Sequence, residues 1–122
     1  MNFEFDNNIP IYIQLVDQLK IYIISGRLKP GDKILSVREL AFQTKVNPNT
    51  MQKALVELEE LGLIYTERTN GKYVTTDIEL IEEYKKEYAK KISQKFLFNM
   101  KNIGFSNKDA IKYLENLKGE KE

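Results

Sequence analysis

The sequence predicts a mainly α-helical chain carrying one small β-hairpin. Apolar residues recur at three- and four-residue spacing over most of its length, and the period drops to two between Leu63 and Thr76. Gly or Pro marks most of the changes of pattern. In the first helix Asn8 can cap, Pro10 suits an early helical position, and Ile11, Leu15, Leu19 and Ile23 share a face. Gly26 ends that helix, and Arg27 to Asp32, with Pro30 and Gly31, forms a turn. Ser36 followed by Glu39 reads as a capping box opening a short helix that turns Val37, Leu40 and Ala41 inward and stops near Thr44. Asn47-Pro48 caps a third helix with Met51, Leu55, Leu58 and Leu61 as its apolar stripe, closed by Gly62. Leu63–Arg68 and Lys72–Thr76 are strand-like runs joined by Thr69-Asn70-Gly71. Two short helices, a tight turn between them and a hairpin directly after make a winged helix-turn-helix.

Asp77 opens a different segment. Ile81, Tyr84, Tyr88, Ile92, Phe96 and Met100 form one stripe of a long amphipathic helix, with Lys85, Lys86, Lys90 and Lys91 off it. Gly104 breaks this helix, and Ser106 starts a last one offering Ile111, Leu114 and Leu117. The charged end from Lys118 to Glu122 is expected to fray. The expected division is therefore 1–76, a winged helix-turn-helix domain, and 77–122, a two-helix tail.

Composition narrows the functional classes. With no cysteine and no histidine, thiolate and imidazole metal sites, cysteine nucleophiles and the commonest general base are excluded. The expectation is a protein that is not an enzyme and needs no cofactor or metal. No apolar run approaches the roughly 20 residues of a membrane span, and the first residues lack a signal-peptide pattern, so a cytoplasmic location is expected. A net charge of +1 says nothing about nucleic acid, but its distribution is uneven. Arg27, Lys29, Lys33, Arg38, Lys45 and Lys53 face only Asp32 and Glu39 over that stretch, and Glu57, Glu59, Glu60 and Glu67 follow. On charge alone, a solvated surface of mixed sign explains this as well as a phosphate-binding face does.

The expected core is Ile11, Leu15, Leu19, Ile23, Leu40, Met51, Leu55, Leu58 and Ile64. If Met51 and Leu55 point inward, Asn49, Thr50, Gln52 and Lys53 are left outside on the first turns of the third helix. Asn and Gln can bond an adenine edge bidentately, and Thr and Lys reach phosphate or guanine. The helix N-terminus itself favours phosphate. Arg38 can reach the backbone or a guanine edge, and the wing tip adds Asn70, Gly71 and Lys72. Each has a plainer reading: Asn47 and Asn49 as caps, Lys53 as a solubilising charge, Gly71 as a turn residue. The ordered series is what favours DNA.

These motifs resemble a known family. Pro10-Ile11-Tyr12-Ile13-Gln14-Leu15, Gly26 to Asp32, Ser36-Val37-Arg38-Glu39-Leu40-Ala41, Val46 to Met51 and Leu58 to Ile64 closely resemble the GntR family of bacterial regulators, over residues 9–75. Leu35 stands where the family usually has proline, and Thr69-Asn70-Gly71 where its wing commonly carries G-x-G; the second departure bears on wing-tip geometry. The resemblance implies DNA contacts at Ser36 and Arg38, along Asn47, Pro48, Asn49, Thr50, Gln52 and Lys53, and at Asn70, Gly71 and Lys72. The short tail is similar to the YtrA-like subfamily, which implies tail-mediated dimerisation and regulation of transporter operons. Physically, two helices cannot enclose Ile81, Tyr84, Tyr88, Ile92 and Phe96, whereas a second copy can. The expectation is thus a regulator, acting as a repressor, that binds a palindromic double-stranded operator as a homodimer. A small-molecule effector is left open. The competing reading is a winged-helix protein-interaction module that does not bind DNA.

Overall fold

The computed structural model describes Met1 and residues 3–119. Among these the order is α1 Ile11–Ile24, α2 Val37–Thr44, α3 Pro48–Glu60, β1 Ile64–Glu67, β2 Gly71–Val74, α4 Ile78–Asn102 and α5 Asn107–Lys118. This is a winged helix-turn-helix with a helical tail. The chain forms two compact units, Met1–Lys85 and Lys86–Glu122. Residues 120–122, the last of the stretch expected to fray, lie outside the described residues.

The first unit is built on α1 crossing α3. Leu15, Val16, Leu19 and Ile23 of α1 meet Met51, Ala54, Leu55 and Leu58 of α3, and Leu40 and Ala41 of α2 close the third side. Each fully buried aliphatic side chain in such a core contributes about 1.5–3 kcal/mol. Ile34, Val46, Leu63, Ile64 and Val74 complete it from the loops and the hairpin. Ile11 does not join: it is 45% exposed. The buried stripe runs through residues 15, 16, 19 and 23, and at about 100° per residue Ile11 falls off its edge while Tyr12 falls on its line.

The start of α1 also differs from expectation. Pro10 occupies the N-cap, and among the described residues no side chain caps the helix. The Asn8 N–H is drawn instead to Asp6 Oδ1 at 2.9 Å. Gln14 holds this segment from inside the helix, donating to the carbonyls of Asp6 (2.7 Å) and Ile9 (2.8 Å) and accepting from the Asp6 N–H.

The hairpin is antiparallel and in simple register, Ile64 opposite Val74 and Glu67 opposite Gly71. Gly71 is therefore a strand residue and not part of the turn, which is Arg68-Thr69-Asn70. Its φ of 106° lies where a side chain would be strained. The connection before α2 runs along β2: Ile34 N–H donates to the Lys72 carbonyl (2.8 Å), and Val74 N–H to that of Asp32 (2.8 Å). The first turns of α4 belong to this unit, with Ile81 buried and the Tyr84 hydroxyl donating to the Leu61 carbonyl at 3.2 Å. Asp77 Oδ1 accepts from the Leu80 N–H at the head of α4.

In the second unit Ser106 caps α5 through the Asp109 N–H, and Ala110 is buried. Phe105 and Tyr113 meet edge to face with ring centroids 5.7 Å apart. Between the helices an open apolar groove of about 400 Å³ is lined by Ile92, Phe96, Leu97, Ile111 and Leu114.

Candidate nucleic-acid interface

Three local structures supply the exposed polar groups expected to meet DNA. The first is the head of α2. Ser36 Oγ accepts from the Glu39 N–H and Glu39 Oε1 accepts from the Ser36 N–H, both at 3.2 Å, a reciprocal capping box. It fixes where the chain enters the helix and aims Arg38 outward. Arg38 is exposed and, among the described residues, makes no ion pair or hydrogen bond that would hold its guanidinium.

The second is the head of α3. The helix-turn-helix bend is closed by Lys45 in the left-handed region (φ 58°) and by the Val46 N–H donating to the Ala41 carbonyl at 3.0 Å. A left-handed lysine costs about 1–2 kcal/mol; burial of Val46 beside the bend opposes that cost. Asn47 Oδ1 then accepts from the Asn49 N–H at 2.8 Å, with Pro48 in the first turn. Met51, Ala54, Leu55 and Leu58 face the core, so Pro48, Asn49, Gln52, Lys53 and Val56 are exposed and Thr50 is half-buried. Lys53 is committed elsewhere: its ammonium lies 4.5 Å from the centroid of the Tyr12 ring on α1. The Tyr12 hydroxyl in turn donates to Glu57.

The third is the wing. Asn70 Nδ2 donates to Glu67 Oε2 at 3.2 Å, tightening the tip, while Asn70 and Gly71 stay exposed. Between the tip and the head of α2 runs a groove of about 460 Å³, lined by Lys33, Leu35, Ser36, Val37, Asn70 and Gly71 among others. Sequence reasoning counts Lys33 in the basic stretch but does not place it among the DNA contacts. The signal it lacked is tertiary: the bridge from Lys33 to Tyr73 brings this lysine to the wing. A second omission is Glu59. Lys72, expected among the DNA contacts, turns to the α3 side of the hairpin, where its ammonium meets Glu59 Oε1 (3.3 Å) and Thr66 Oγ1 (2.9 Å). The Thr66 hydroxyl donates to the same Glu59 oxygen at 2.6 Å. These contacts, the Thr66 bond foremost and Lys72 after it, hold the Glu59 carboxyl below its ordinary value against partial burial.

Of the tail residues expected at an interface, Ile81 and Tyr84 are already engaged within the first unit. Tyr88 and Phe96 are half-buried, and Ile92 is 67% exposed. Among the described residues no cluster of carboxylates could hold a metal ion, and no helix is long and apolar enough to cross a membrane.

A buried three-helix core that leaves the head of its third helix outside, with a hairpin alongside, defines a winged helix-turn-helix, a fold that suits the major groove. The chain belongs to the GntR family: the family described as bacterial regulatory proteins, gntR family, matches residues 11–74. It is 37% identical over 111 residues to the uncharacterized HTH-type transcriptional regulator YhcF of Bacillus subtilis (strain 168), covering 91% of this chain and 92% of that protein. Its structure is similar to that of a GntR family transcriptional regulator from Listeria monocytogenes, with a TM-score of 0.85 and 41% identity over 92% of this chain and 98% of the other. It is also similar to AraR(DBD) in complex with operator ORR3, at a TM-score of 0.52 and 31% identity, covering 62% of this chain and 88% of that one. The protein is a transcriptional regulator, not an enzyme.

Proposed function

We propose that this regulator is a repressor that binds a palindromic operator as a homodimer in the cytoplasm. Residues 1–76 bind DNA and residues 77–122 pair the two copies. The observation that carries this reading is the outer face of α3: Asn49 and Gln52 are exposed, and no hydrogen bond holds the side chain of either among the described residues. In this reading they and Thr50 address base edges from the major groove, Asn47 and Pro48 bring the helix head to a phosphate, and Lys53 meets the backbone after leaving Tyr12. Ser36 meets the phosphates beside α2, Arg38 reaches the backbone or a guanine edge, and Asn70 and Gly71 approach the sugar-phosphate wall. The operator complex of the similar AraR(DBD) supports DNA as the ligand.

Dimerisation rests on Ile92 and Phe96, which line the open groove of the tail, with Tyr88 on the same stripe of α4. A two-fold dimer presents two equivalent α3 heads, and a palindrome is the DNA that matches them. Repression follows from occupying promoter DNA, and control of a transporter operon from the likeness of the short tail to the YtrA-like subfamily. A small-molecule effector, if one acts, would bind where the two tails meet.

Selection of bound duplexes from a random pool tests the whole reading. A palindromic consensus, bound with an affinity that falls linearly in log salt by about 0.9 per phosphate contact, is the expected result. Absence of salt-dependent duplex binding would leave the protein-interaction module as the better account.

A further inference from the structure

Alternate residues of the hairpin face opposite ways. Tyr65 and Tyr73 stack on one face, ring centroids 5.6 Å apart. Ile64, Thr66, Lys72 and Val74 share the other, where Ile64 and Val74 are buried in the core and Thr66 and Lys72 continue the same face toward the tip. There Thr66, Lys72 and Glu59 close a triangle at 2.6, 2.9 and 3.3 Å. The hydroxyl both donates to the carboxylate and accepts from the ammonium, and the Lys72 side chain is only 19% exposed. We propose that Glu59, Thr66 and Lys72 form a latch fixing the angle of the wing on α3. Glu59 and Lys72 are then positioning residues for operator binding, and Lys72 is not a phosphate ligand.

A hairpin of two four-residue strands is marginal by itself and takes its orientation from what it packs on. Its root is held by the Thr75 N–H donating to the Leu63 carbonyl (2.9 Å) and by the connection running along β2, but on the α3 side the latch is what holds the outer half. Moving Lys72 to a phosphate would leave the Glu59 carboxylate with the Thr66 hydroxyl alone and bring a second anion close to it. Lys33, Arg38 and Arg68 meanwhile are exposed and form no ion pair among the described residues, so cations for the DNA backbone are present without Lys72. The consequence is unusual for a DNA-binding surface: an acidic residue promotes binding to a polyanion.

The inference rests on the operator reading, and the test separates the two. Full-length Glu59→Gln, Lys72→Gln and the charge-exchange variant Glu59→Lys/Lys72→Glu are titrated with a duplex selected from a random pool, over a range of salt. Each single variant is expected to weaken binding about three- to fivefold with the salt slope unchanged, and the exchange variant to return to within about twofold of the original. Tighter binding by Glu59→Gln, a slope flattened by about 0.9 in Lys72→Gln, or an exchange variant worse than both singles would overturn the latch. Amide exchange of residues 65–73 without DNA is the second arm. Both single variants should expose the hairpin equally and the exchange variant restore it; protection unchanged in both singles would overturn the latch whether or not duplex binds. An unsubstituted chain that binds no duplex would remove the operator reading, and with it the latch's part in DNA binding.

Discussion

The hydroxyl of Tyr12 on α1 donates to the carboxylate of Glu57 on α3, 45 residues away, while the Lys53 ammonium lies over the same ring. This contact ties the flank of α3 to the core, and it titrates. The bond to Glu57 is the largest influence raising the Tyr12 phenol above its ordinary value; burial and the charges of Glu57 and Glu60 act the same way. A raised value means that the folded chain holds the proton more tightly. The stabilisation is therefore complete below the ordinary tyrosine value of about 10 and is lost as pH rises through the raised one. Urea unfolding across that range should show the original chain losing more stability than Tyr12→Phe. Parallel curves would mean that the contact does not persist in solution.

Glu59 gives the opposite sign. Its carboxyl is held low, chiefly by the Thr66 hydroxyl and then by Lys72. What the latch contributes is present above the unfolded glutamate value of about 4.3 and is lost as pH falls through the lower folded value. Hairpin amides should lose protection on acidification in the original chain and show a smaller change in Glu59→Gln, whose protection is already reduced at neutral pH. Exchange rates measured from neutral pH downward decide it.

Arg38 stands on α2 beside the capping box, and among the described residues no ion pair or hydrogen bond holds it. If it makes a bidentate contact to guanine, Arg38→Ala should weaken operator binding by about 1–3 kcal/mol and relax specificity at one base pair. If it meets only phosphate, binding weakens evenly across sequences and the salt slope drops by about 1. Unchanged affinity would take Arg38 out of the interface.

What could be read from the chain alone was whatever is local. Ser36 with Glu39, Asn47 with Pro48, and Ser106 with Asp109 are caps formed within four residues, and each is in place. The α3 stripe from Met51 to Leu58 and the switch to period two also depend only on near neighbours. What escaped was decided across the fold. Ile11 is exposed because α3 meets the face through Tyr12 and Leu15. Lys72 looked like a wing cation because its partner, Glu59, lies 13 residues earlier on another element. Lys33 reaches the wing groove only because the connection before α2 pairs with Tyr73.

The Ser36–Glu39 box offers a test of stability. Ser36→Ala removes the acceptor for the Glu39 N–H and leaves the head of α2 frayed. A loss of about 1 kcal/mol is expected, read from urea unfolding. A loss well under half that would mean that the end of α2 is held by packing of Leu40 and Ala41 alone.

Dimerisation is tested best where substitution leaves the single chain intact. Ile92 is 67% exposed and lines the open groove between α4 and α5 with Phe96, Ile111 and Leu114. An aspartate there costs a lone chain little, since the position already faces water. In a dimer it buries a charge with no counter-ion, which costs several kcal/mol, counted in both copies by symmetry. Ile92→Asp should therefore sediment as a monomer with its helical content unchanged, and it should bind one half-site more weakly than the dimer binds two, because the second contact is no longer intramolecular. A variant that stays dimeric would move the interface off this groove. Ile9, just before α1, and Ile13 on it are exposed and would then be the next apolar surface to substitute.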